Sequence, residues 1–511
     1  MKNRTLYFGD NLDILRRKIP DQSFDLIYLD PPFNSNRNYN VLFKEAVKEG
    51  LGDSPAQIKA FEDSWHWTRE AKSAFDYLVT KTNEDISNLM LALEKIVGHN
   101  DMLAYLAMMT IRLIELHRAL KKTGSLYLHC DPTASHYLKI ILDAIFGKKH
   151  FRNEIIWCYR GAGYPKNDFG KRHDIIFRYS KTEKYIFNLD AVREKYAEAT
   201  EERFKDHIGN IRNGKDFGIQ QLNPLGKQPD DWWQIQPIAP SAKERLGYPT
   251  QKPEVLLERI IKASSKKGDW ILDPFCGCGT TVATAEKLDR NWIGIDITVL
   301  AINLIKKRIK EHFDLGNKQI LVDGLPTDLS GAKALFKKDP FQFEYWALDL
   351  ISAMPGQSKT EENMRGADKG IDGIIMFIKN TKNGNGNKKN GNKNFEYGKA
   401  IVQVKGGKAQ RKDIATLKGD VDREKAEAGV FITLEKPTKP MITEAIDTGN
   451  FKTPITNNVE FPKIQILTIE ELLRGKKLQL PQGLVKPYHK QAKKIEKEDK
   501  KNWRATMNIL F

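Results

Sequence analysis

An α/β fold built on a doubly wound, mostly parallel sheet follows from three stretches of this 511-residue chain. The first is the apolar run Asp25-Leu26-Ile27-Tyr28-Leu29, a buried strand by its pattern, which ends in Asp30-Pro31-Pro32-Phe33. The second is a short strand, Trp270-Ile271-Leu272. It runs into the Gly-rich turn Asp273-Pro274-Phe275-Cys276-Gly277-Cys278-Gly279-Thr280-Thr281 and then into helical spacing from Val282 to Leu288. The third is the strand Trp292-Ile293-Gly294-Ile295, closed by Asp296. Strand, Gly-rich turn and helix make the nucleotide-binding unit of doubly wound folds, whose ligands sit at the carboxyl ends of the strands.

Asp30 places a carboxylate at such an end. Pro31 and Pro32 remove two N–H donors and fix two φ angles, so the turn is stiff and its carbonyls are free to accept. With Phe33 as a flat apolar plate, the set suits a planar group bearing an NH2, such as an extruded nucleobase. The plainer alternative is a strand–turn with an N-capping Asp. In the second stretch, Gly277 and Gly279 allow close approach of the backbone to a ligand. Thr280-Thr281 stand where a phosphate-cradling loop would end in Lys-Ser/Thr, so a triphosphate is not expected. Asp296 lies 23 positions after Asp273, near the ~20-residue offset at which an acid accepts from ribose hydroxyls. A ribose and an adenine without pyrophosphate describe S-adenosylmethionine.

The remaining elements follow in order. Residues 5–33 read as strand, helix and strand. Ala104 to Leu120 and His136 to Phe146 have helical apolar spacing, and Asn153 to Tyr159, His173 to Phe177 and Lys184 to Phe187 read as strands. Residues 34–100 are polar and irregular in pattern, with an aromatic group at Trp65-His66-Trp67; they are expected as a lid beside a base pocket, or as a surface insertion. Residues 190–247 interleave Arg193, Lys195, Arg203, Lys205, Arg212 and Lys215 with Trp232 and Trp233, a mixture suited to phosphate contact and base stacking, or to a solvated surface with core tryptophans. Residues 313–339 read as a linker. A second unit spans 340–475: a helix at Phe343 to Ile351, a tight turn from Gly366 to Gly373, and strands Ile374–Ile378 and Lys399–Lys405. The Asn/Gly/Lys tract between them, Lys379 to Asn394, is too polar to pack and is expected as a disordered hairpin loop. Residues 476–511 form a charged tail, within which 486–501 read as a solvated helix rather than a DNA arm.

Five ordered motifs carry a resemblance. Gly9-Asp10-Asn11, Asp30-Pro31-Pro32-Phe33, Gly124-Ser125-Leu126-Tyr127-Leu128-His129-Cys130-Asp131, Tyr248-Pro249-Thr250-Gln251-Lys252-Pro253 and the Gly-rich turn occur in the order of a prokaryotic DNA amino-methyltransferase of the class β, or permuted, DPPF/DPPY type. Residues 1–312 resemble that family. The resemblance implies a Rossmann-like S-adenosylmethionine-dependent methyltransferase sheet and double-stranded DNA as partner, with target recognition within 190–247. It implies catalysis by Asp30, Pro31, Pro32 and Phe33. Cofactor contacts are implied for Asp10, Lys252, Asp273, Phe275, Gly277, Gly279, Thr280, Thr281 and Asp296. In the family, Asp at the first motif position goes more often with adenine and Ser with cytosine, so N(6)-adenine is expected; the alternative is N(4)-cytosine with an inactive DNA-binding module behind it. Attack at ring carbon five of cytosine needs a Cys nucleophile, and no Pro-Cys dipeptide occurs. A non-enzymatic DNA-binding regulator and an RNA methyltransferase are the readings from other classes.

The second unit resembles a smaller α/β restriction-endonuclease-like domain of Mrr type, in its Gln-x-Lys variant. Asp372 begins one strand and Gln403 sits on its hairpin partner, so both oxygens can reach one Mg2+. Lys405, two residues on, faces the same side. Glu344 matches the family's helical acid. The two halves together suggest a restriction–modification protein.

Composition agrees with a polyanionic partner: 83 Lys and Arg stand against 66 Asp and Glu, a net charge of +17. Four cysteines, Cys130, Cys158, Cys276 and Cys278, are too few and too scattered for a disulfide framework or a zinc cluster. No apolar stretch approaches the ~18 residues of a membrane span, and the start does not read as a signal peptide, so a cytoplasmic prokaryotic or phage setting is expected. The oligomeric state is left open, a homodimer being one option.

Overall fold

The computed structural model describes residues 1–32, 38–43, 56–62, 67–161, 163, 165–204, 209–212, 215–219, 221–246, 248, 250–313, 315, 319–356, 370–382, 394–456, 459–481 and 484–485. Its larger sheet contains, among these residues, β1 (Thr5–Phe8), β2 (Phe24–Leu29), β3 (Leu120–Cys130), β4 (Phe151–Cys158), β5 (His173–Ser180), β6 (Trp232–Gln234), β7 (Trp270–Asp273), β8 (Asn291–Asp296) and β9 (Leu321–Asp323). Their order is β6-β4-β5-β3-β2-β7-β8-β1-β9. Only β5 runs antiparallel to its neighbours. The strand before the Pro-Pro turn and the strand before the Gly-rich turn are adjacent and parallel, Leu26 opposite Ile271 and Ile27 opposite Leu272. The sheet order thus brings the two most informative motifs of the chain to one edge.

Both faces of the sheet are covered, which is why β2 is buried throughout. Ile27 and Leu29 face α1 (Asn11–Lys18), α2 (Arg69–Lys81), α3 (Glu84–Val97), α4 (Asp101–Ala119) and α5 (Pro132–Phe146). Leu26 and Tyr28 face α6 (Glu254–Ser264), α7 (Thr280–Lys287) and α8 (Val299–His312). Side-chain oxygens of Asp10, Asn100 and Asp131 accept N–H groups in the first turns of α1, α4 and α5, with Pro132 opening α5.

Residues 67–100 are not irregular as their polarity suggested. Apolar Phe75, Leu78, Ile86, Met90 and Leu93 recur at helical spacing and pack α2 and α3 onto the main core; the many exposed polar residues obscured the stripe. Trp67 stacks on His99 at 4.8 Å, while Trp65 and His66 lie outside the described residues. Lys184 to Phe187 form no strand. There the rings of Tyr185 and Phe187 lie against the Arg178 guanidinium at 5.1 and 4.5 Å instead of pairing in the sheet. Residues 313–339 hold β9, which pairs with β1, and α9 (Leu329–Lys338), whose Ala332 and Leu335 enter the second core.

The second unit has α10 (Pro340–Leu350), β10 (Gly373–Lys382), β11 (Asn394–Lys405), α11 (Arg411–Arg423), β12 (Ala428–Thr433) and β13 (Ile464–Thr468). β10 and β11 pair antiparallel. β11, α11 and β12 form a parallel crossover, and β13 extends it. Strand pairing reaches Lys382 and Asn394, farther than the apolar pattern predicted; the rest of the polar tract, 383–393, and the tail beyond 485 lie outside the described residues. α10 covers one face with Phe343, Trp346 and Ala347; α11 covers the other with Ile414, Leu417 and Val421. The two units meet at α8 and α10. Val299 N–H donates to Gln342 Oε1 at 2.8 Å, and Tyr345 packs onto the cluster of Leu246, Tyr248, Cys278 and Leu304. Among the described residues no helix is long and apolar enough to cross a membrane.

Candidate active site

Asp30 emerges from β2 with its side chain mostly buried, and it ion-pairs with Lys252. Lys252, expected on the cofactor side, therefore touches the acid of the Pro-Pro turn. Pro31 is buried and Pro32 half-buried; Phe33 lies outside the described residues. Beneath Asp30, Tyr28 and the adjacent strand's His129 are both buried. His129 Nδ1 is 2.9 Å from the Tyr28 hydroxyl and 3.9 Å from Asp30 Oδ1, and its Nε2 is 3.2 Å from Asp174 Oδ2. Burial, with the Asp30 charge behind it, pushes the Tyr28 hydroxyl well above its ordinary range, so it stays a neutral hydrogen-bonding group.

The Gly-rich turn is tied to the next strand by Asp296. Its Oδ2 accepts the Gly277 N–H at 2.8 Å, and its Oδ1 accepts the Thr298 N–H and hydroxyl at 2.9 and 2.8 Å. Gly277 and Gly279 have φ of +48° and +74°, in the region that favours glycine. A Cβ on Gly279 would lie 2.6 Å from Ile305 Cγ1, so this glycine also lets α8 pack. Asp273 Oδ1 accepts the Phe275 N–H at 3.0 Å. Burial pushes Asp273 up to about 7 and Asp296 up to about 6. Thr281 is buried and bonds Asp273. Thr280 instead accepts from the buried Arg308 at 3.3 Å, a structural contact. Cys276 and Cys278 are buried with their thiols pushed up by burial, the environment of inert rather than nucleophilic sulfur.

Asp10 caps α1 through the Leu12 N–H and ion-pairs the buried Arg112 at 2.9 Å. Arg112 also donates to Asn11 Oδ1, and Asn11 donates to the Pro274 carbonyl at 2.9 Å. This chain of bonds fixes α1 against the Gly-rich turn and leaves Asp10 at its rim. Asp10, Asp30, Lys252, Asp273, Phe275 and Asp296 thus gather at the carboxyl edge of β1, β2, β7 and β8. The donor set fits S-adenosylmethionine. Two buried carboxylates, in no ion pair among the described residues, stand ready for donors or a positive ligand, and positive-φ glycines keep the turn free of side chains.

In the second unit Asp372 precedes β10 and is buried. Its Oδ2 accepts the Val404 N–H at 2.6 Å, which holds it beside Gln403. Among the described residues, Gln403 Oε1 is buried without a hydrogen-bond partner. Lys405 is 3.5 Å from Asp413 of α11 and 43 % exposed. Glu344 is half-buried on α10. Among the described residues no cluster of three or more His, Cys, Asp or Glu could hold a metal. An orphaned oxygen beside one carboxylate still fits Mg2+, which keeps several waters and takes further ligands from a bound phosphate.

Sequence reasoning passed over His129, Asp174 and Arg112. The signal for His129 was present: an imidazole inside the apolar strand Leu126-Tyr127-Leu128-His129-Cys130. Asp174 and Arg112 are distant in sequence and had no local signal. In the expected recognition interval, Arg193 is engaged internally with Asp190 and the Gly226 carbonyl. Trp233 is buried under Arg259, and Trp232 is exposed.

The profile of the N6/N4 DNA methylase family matches residues 24–307, more than half of the chain, and a restriction endonuclease profile of Mrr catalytic type matches residues 335–473. Among curated proteins, the chain is 33 % identical to the type II methyltransferase M.HpaI of Haemophilus parainfluenzae, over 39 % of this chain and 58 % of that protein. It is 33 % identical to the type II methyltransferase M.BglII of Bacillus subtilis, over 57 % and 65 %. It is 30 % identical to the DNA adenine methyltransferase YhdJ of Escherichia coli (strain K12), over 60 % and 82 %. The chain thus spans less than two thirds of the length of the first two. With the edge at β2 and β7 built as that family's motifs require, the chain belongs to the N6/N4 DNA methylases.

Proposed function

We propose that this chain is a site-specific DNA methyltransferase of the class β, DPPF type, which transfers a methyl group from S-adenosylmethionine to the exocyclic amine of adenine in duplex DNA. The observation that carries the proposal is the adjacency of β2 and β7, which sets Asp30 beside the turn at Asp273. When bound, the cofactor supplies an electrophilic methyl group on a sulfonium. Asp296, Asp273, Phe275, Thr281, Gly277 and Gly279, with Asp10 at the rim, would hold it. The amine's lone pair is conjugated into the base ring and is a poor nucleophile. Asp30 and the Pro31 carbonyl accept its two N–H bonds and localise the pair on nitrogen, with Phe33 against the flipped base. Lys252 must yield Asp30 to the amine. Alignment then supplies much of the rate, and the buried thiols take no covalent part. The name of the relative YhdJ and the Asp in the first motif position support adenine over cytosine. The test is methyl transfer to a panel of duplexes, with mass spectrometry of the released nucleosides separating N(6)-methyladenine from N(4)-methylcytosine. Transfer to RNA alone, or to no nucleic acid, overturns the reading.

The second unit we assign as a Mg2+-dependent nuclease of the same restriction–modification protein, acting on unmethylated DNA. Asp372 and Gln403 would bind the metal, with Glu344 as the helical acid, while Lys405 polarises the scissile phosphate or the attacking water. A nuclease that cut the site its own chain had methylated would destroy the host. Plasmids with and without prior methylation, incubated with Mg2+, test this: only the unmethylated one is expected to be cut.

A further inference from the structure

The amine that receives the methyl group must also lose a proton. The C–S bond of the donor breaks as the N–C bond forms, and the nitrogen, now carrying a positive charge, returns to neutrality by releasing one N–H proton and keeping the electron pair. Asp30 is placed to take that proton. A protonated Asp30 cannot serve the next substrate in the same way, so the proton must move on. The other charged group on Asp30, Lys252, is a cation in the ion pair and offers no lone pair.

His129 lies nearer the other carboxylate oxygen, Oδ1. It is fully buried, and its ring meets those of Tyr28 and Trp157 at steep angles. The Asp174 carboxyl feels burial, which disfavours its charge. The hydrogen bond from His129, with Lys252 and Tyr159, outweighs this and holds it below the usual carboxylate range. An ionised Asp174 can only accept, so the His129 nitrogen facing it, Nε2, carries hydrogen. In a neutral ring Nδ1 is then the basic atom. It faces the Tyr28 hydroxyl at 2.9 Å and Asp30 Oδ1 at 3.9 Å. Tyr159 donates to Asp174 Oδ1 at 3.4 Å, and the Asp174 side chain is 16 % exposed, at the rim of the pocket. A basic nitrogen toward Asp30, a carboxylate behind the ring and a wetter end beyond it form a directed path. Resting on the methyl-transfer reading above, we propose that His129 and Asp174 are positioning residues that reset Asp30: His129 Nδ1 takes the proton that the substrate amine has given to Asp30, and Asp174 stabilises the resulting imidazolium until the proton leaves to solvent.

The titratable and charged groups around His129 include Tyr28 on β2 and Asp30 just after it, Asp174 on β5, Tyr159 beyond β4, Lys252 before α6, Asp273 on β7, Cys130 on its own strand and Asp131 just beyond that strand. The test uses the full chain, a duplex that it methylates and saturating S-adenosylmethionine. Multiple-turnover transfer, in which every round after the first needs a reset Asp30, is read from roughly pH 5 to 9, around the range where an imidazole titrates. The parent rate should fall on the acid side, where a free imidazole already holds a proton and could not accept another. His129→Asn puts its amide near the position of Nδ1, where it can still pair with the Tyr28 hydroxyl, but cannot take a proton. It should transfer about 100-fold more slowly, the low end of the range for general acid–base groups, with the acid limb gone and cofactor affinity by calorimetry unchanged. Asp174→Asn should keep the limb but move it to lower pH, because the imidazolium loses its counter-charge. If His129→Asn does not fold, Asp174→Asn carries the test. A His129→Asn rate within twofold of the parent with the same acid limb overturns the relay, as does an unmoved limb in Asp174→Asn. Absence of transfer by the parent to any nucleic acid overturns the functional reading, and the relay with it.

Discussion

The two candidate sites treat charge in opposite ways. At the ends of β2, β7 and β8, carboxylates are sunk into the protein. Asp273 and Asp296 are pushed up by burial, and Asp30 is enclosed by Lys252 and the Tyr28–His129 pair. In the second unit Lys405 is 43 % exposed against a single acid of α11, and Gln403 replaces a carboxylate with an amide. A buried, bonded site is preorganised, and its electrostatics act at low dielectric before the substrate arrives. An open site with few charges acquires its strength from what binds to it.

Four measurements press on that contrast. The largest effect is expected at Asp30→Ala, which removes the acceptor for the amine. Methyl transfer should fall at least about 100-fold while calorimetry with S-adenosylmethionine shows near-unchanged affinity. Residual transfer above a few per cent would break the assignment. Next is Lys405→Ala. Plasmid cleavage with Mg2+ should be lost and methylation retained, because the two sites belong to separate cores. A joint loss would mean that the sites are not independent, and no cleavage by the parent under any metal condition would reject the nuclease. A smaller effect is expected for Asp296→Ala, which leaves the Gly277 and Thr298 N–H groups without their acceptor. Cofactor affinity should weaken by about 1–3 kcal/mol, or roughly 5- to 150-fold; binding as tight as the parent's would show that Asp296 serves only the backbone.

The smallest effect is a slope. Burial raises Asp273 to about 7 and Asp296 to about 6 from an ordinary 3.8. The folded protein therefore holds these protons more tightly than the unfolded chain does. The stability this gives is complete below about pH 4, declines as pH rises, and is gone once pH has passed through the two folded values. Melting temperatures of the cofactor-free protein should carry a downward component between pH 5 and 8, and Asp273→Asn should flatten it. An identical slope in the variant would place Asp273 in a wetter setting.

Much of the first site was legible because its chemistry is local. Asp30 with two prolines, and Asp273 with its glycines, each declare themselves within a few residues. Period-2 and helical patterns also placed β2, β7, β8, α4 and α5. What stayed hidden was of two kinds. Charged neighbours in space, such as Lys252 on Asp30 or Asp174 on His129, are separated by tens to hundreds of positions, and only the sheet order brings them together. Weakly amphipathic helices also escaped: α2 and α3 bury a narrow stripe under a polar surface, and polarity was mistaken for irregularity. Conversely, Lys184 to Phe187 alternates like a strand, yet its rings go to Arg178.

The joint between α8 and α10 has a bearing on how such a chain can be cut or recombined. Leu246, Tyr248, Cys278 and Leu304 are capped by Tyr345, and the helix that follows Asp296 begins on Gln342. Separating the halves at Lys338 would turn that cap into open apolar surface beside the cofactor turn. The junction is thus more than a tether between two units. The methylase half uses its companion as part of its own exterior, and exchanging the companion for another domain would require a helix that presents an aromatic residue at the same point.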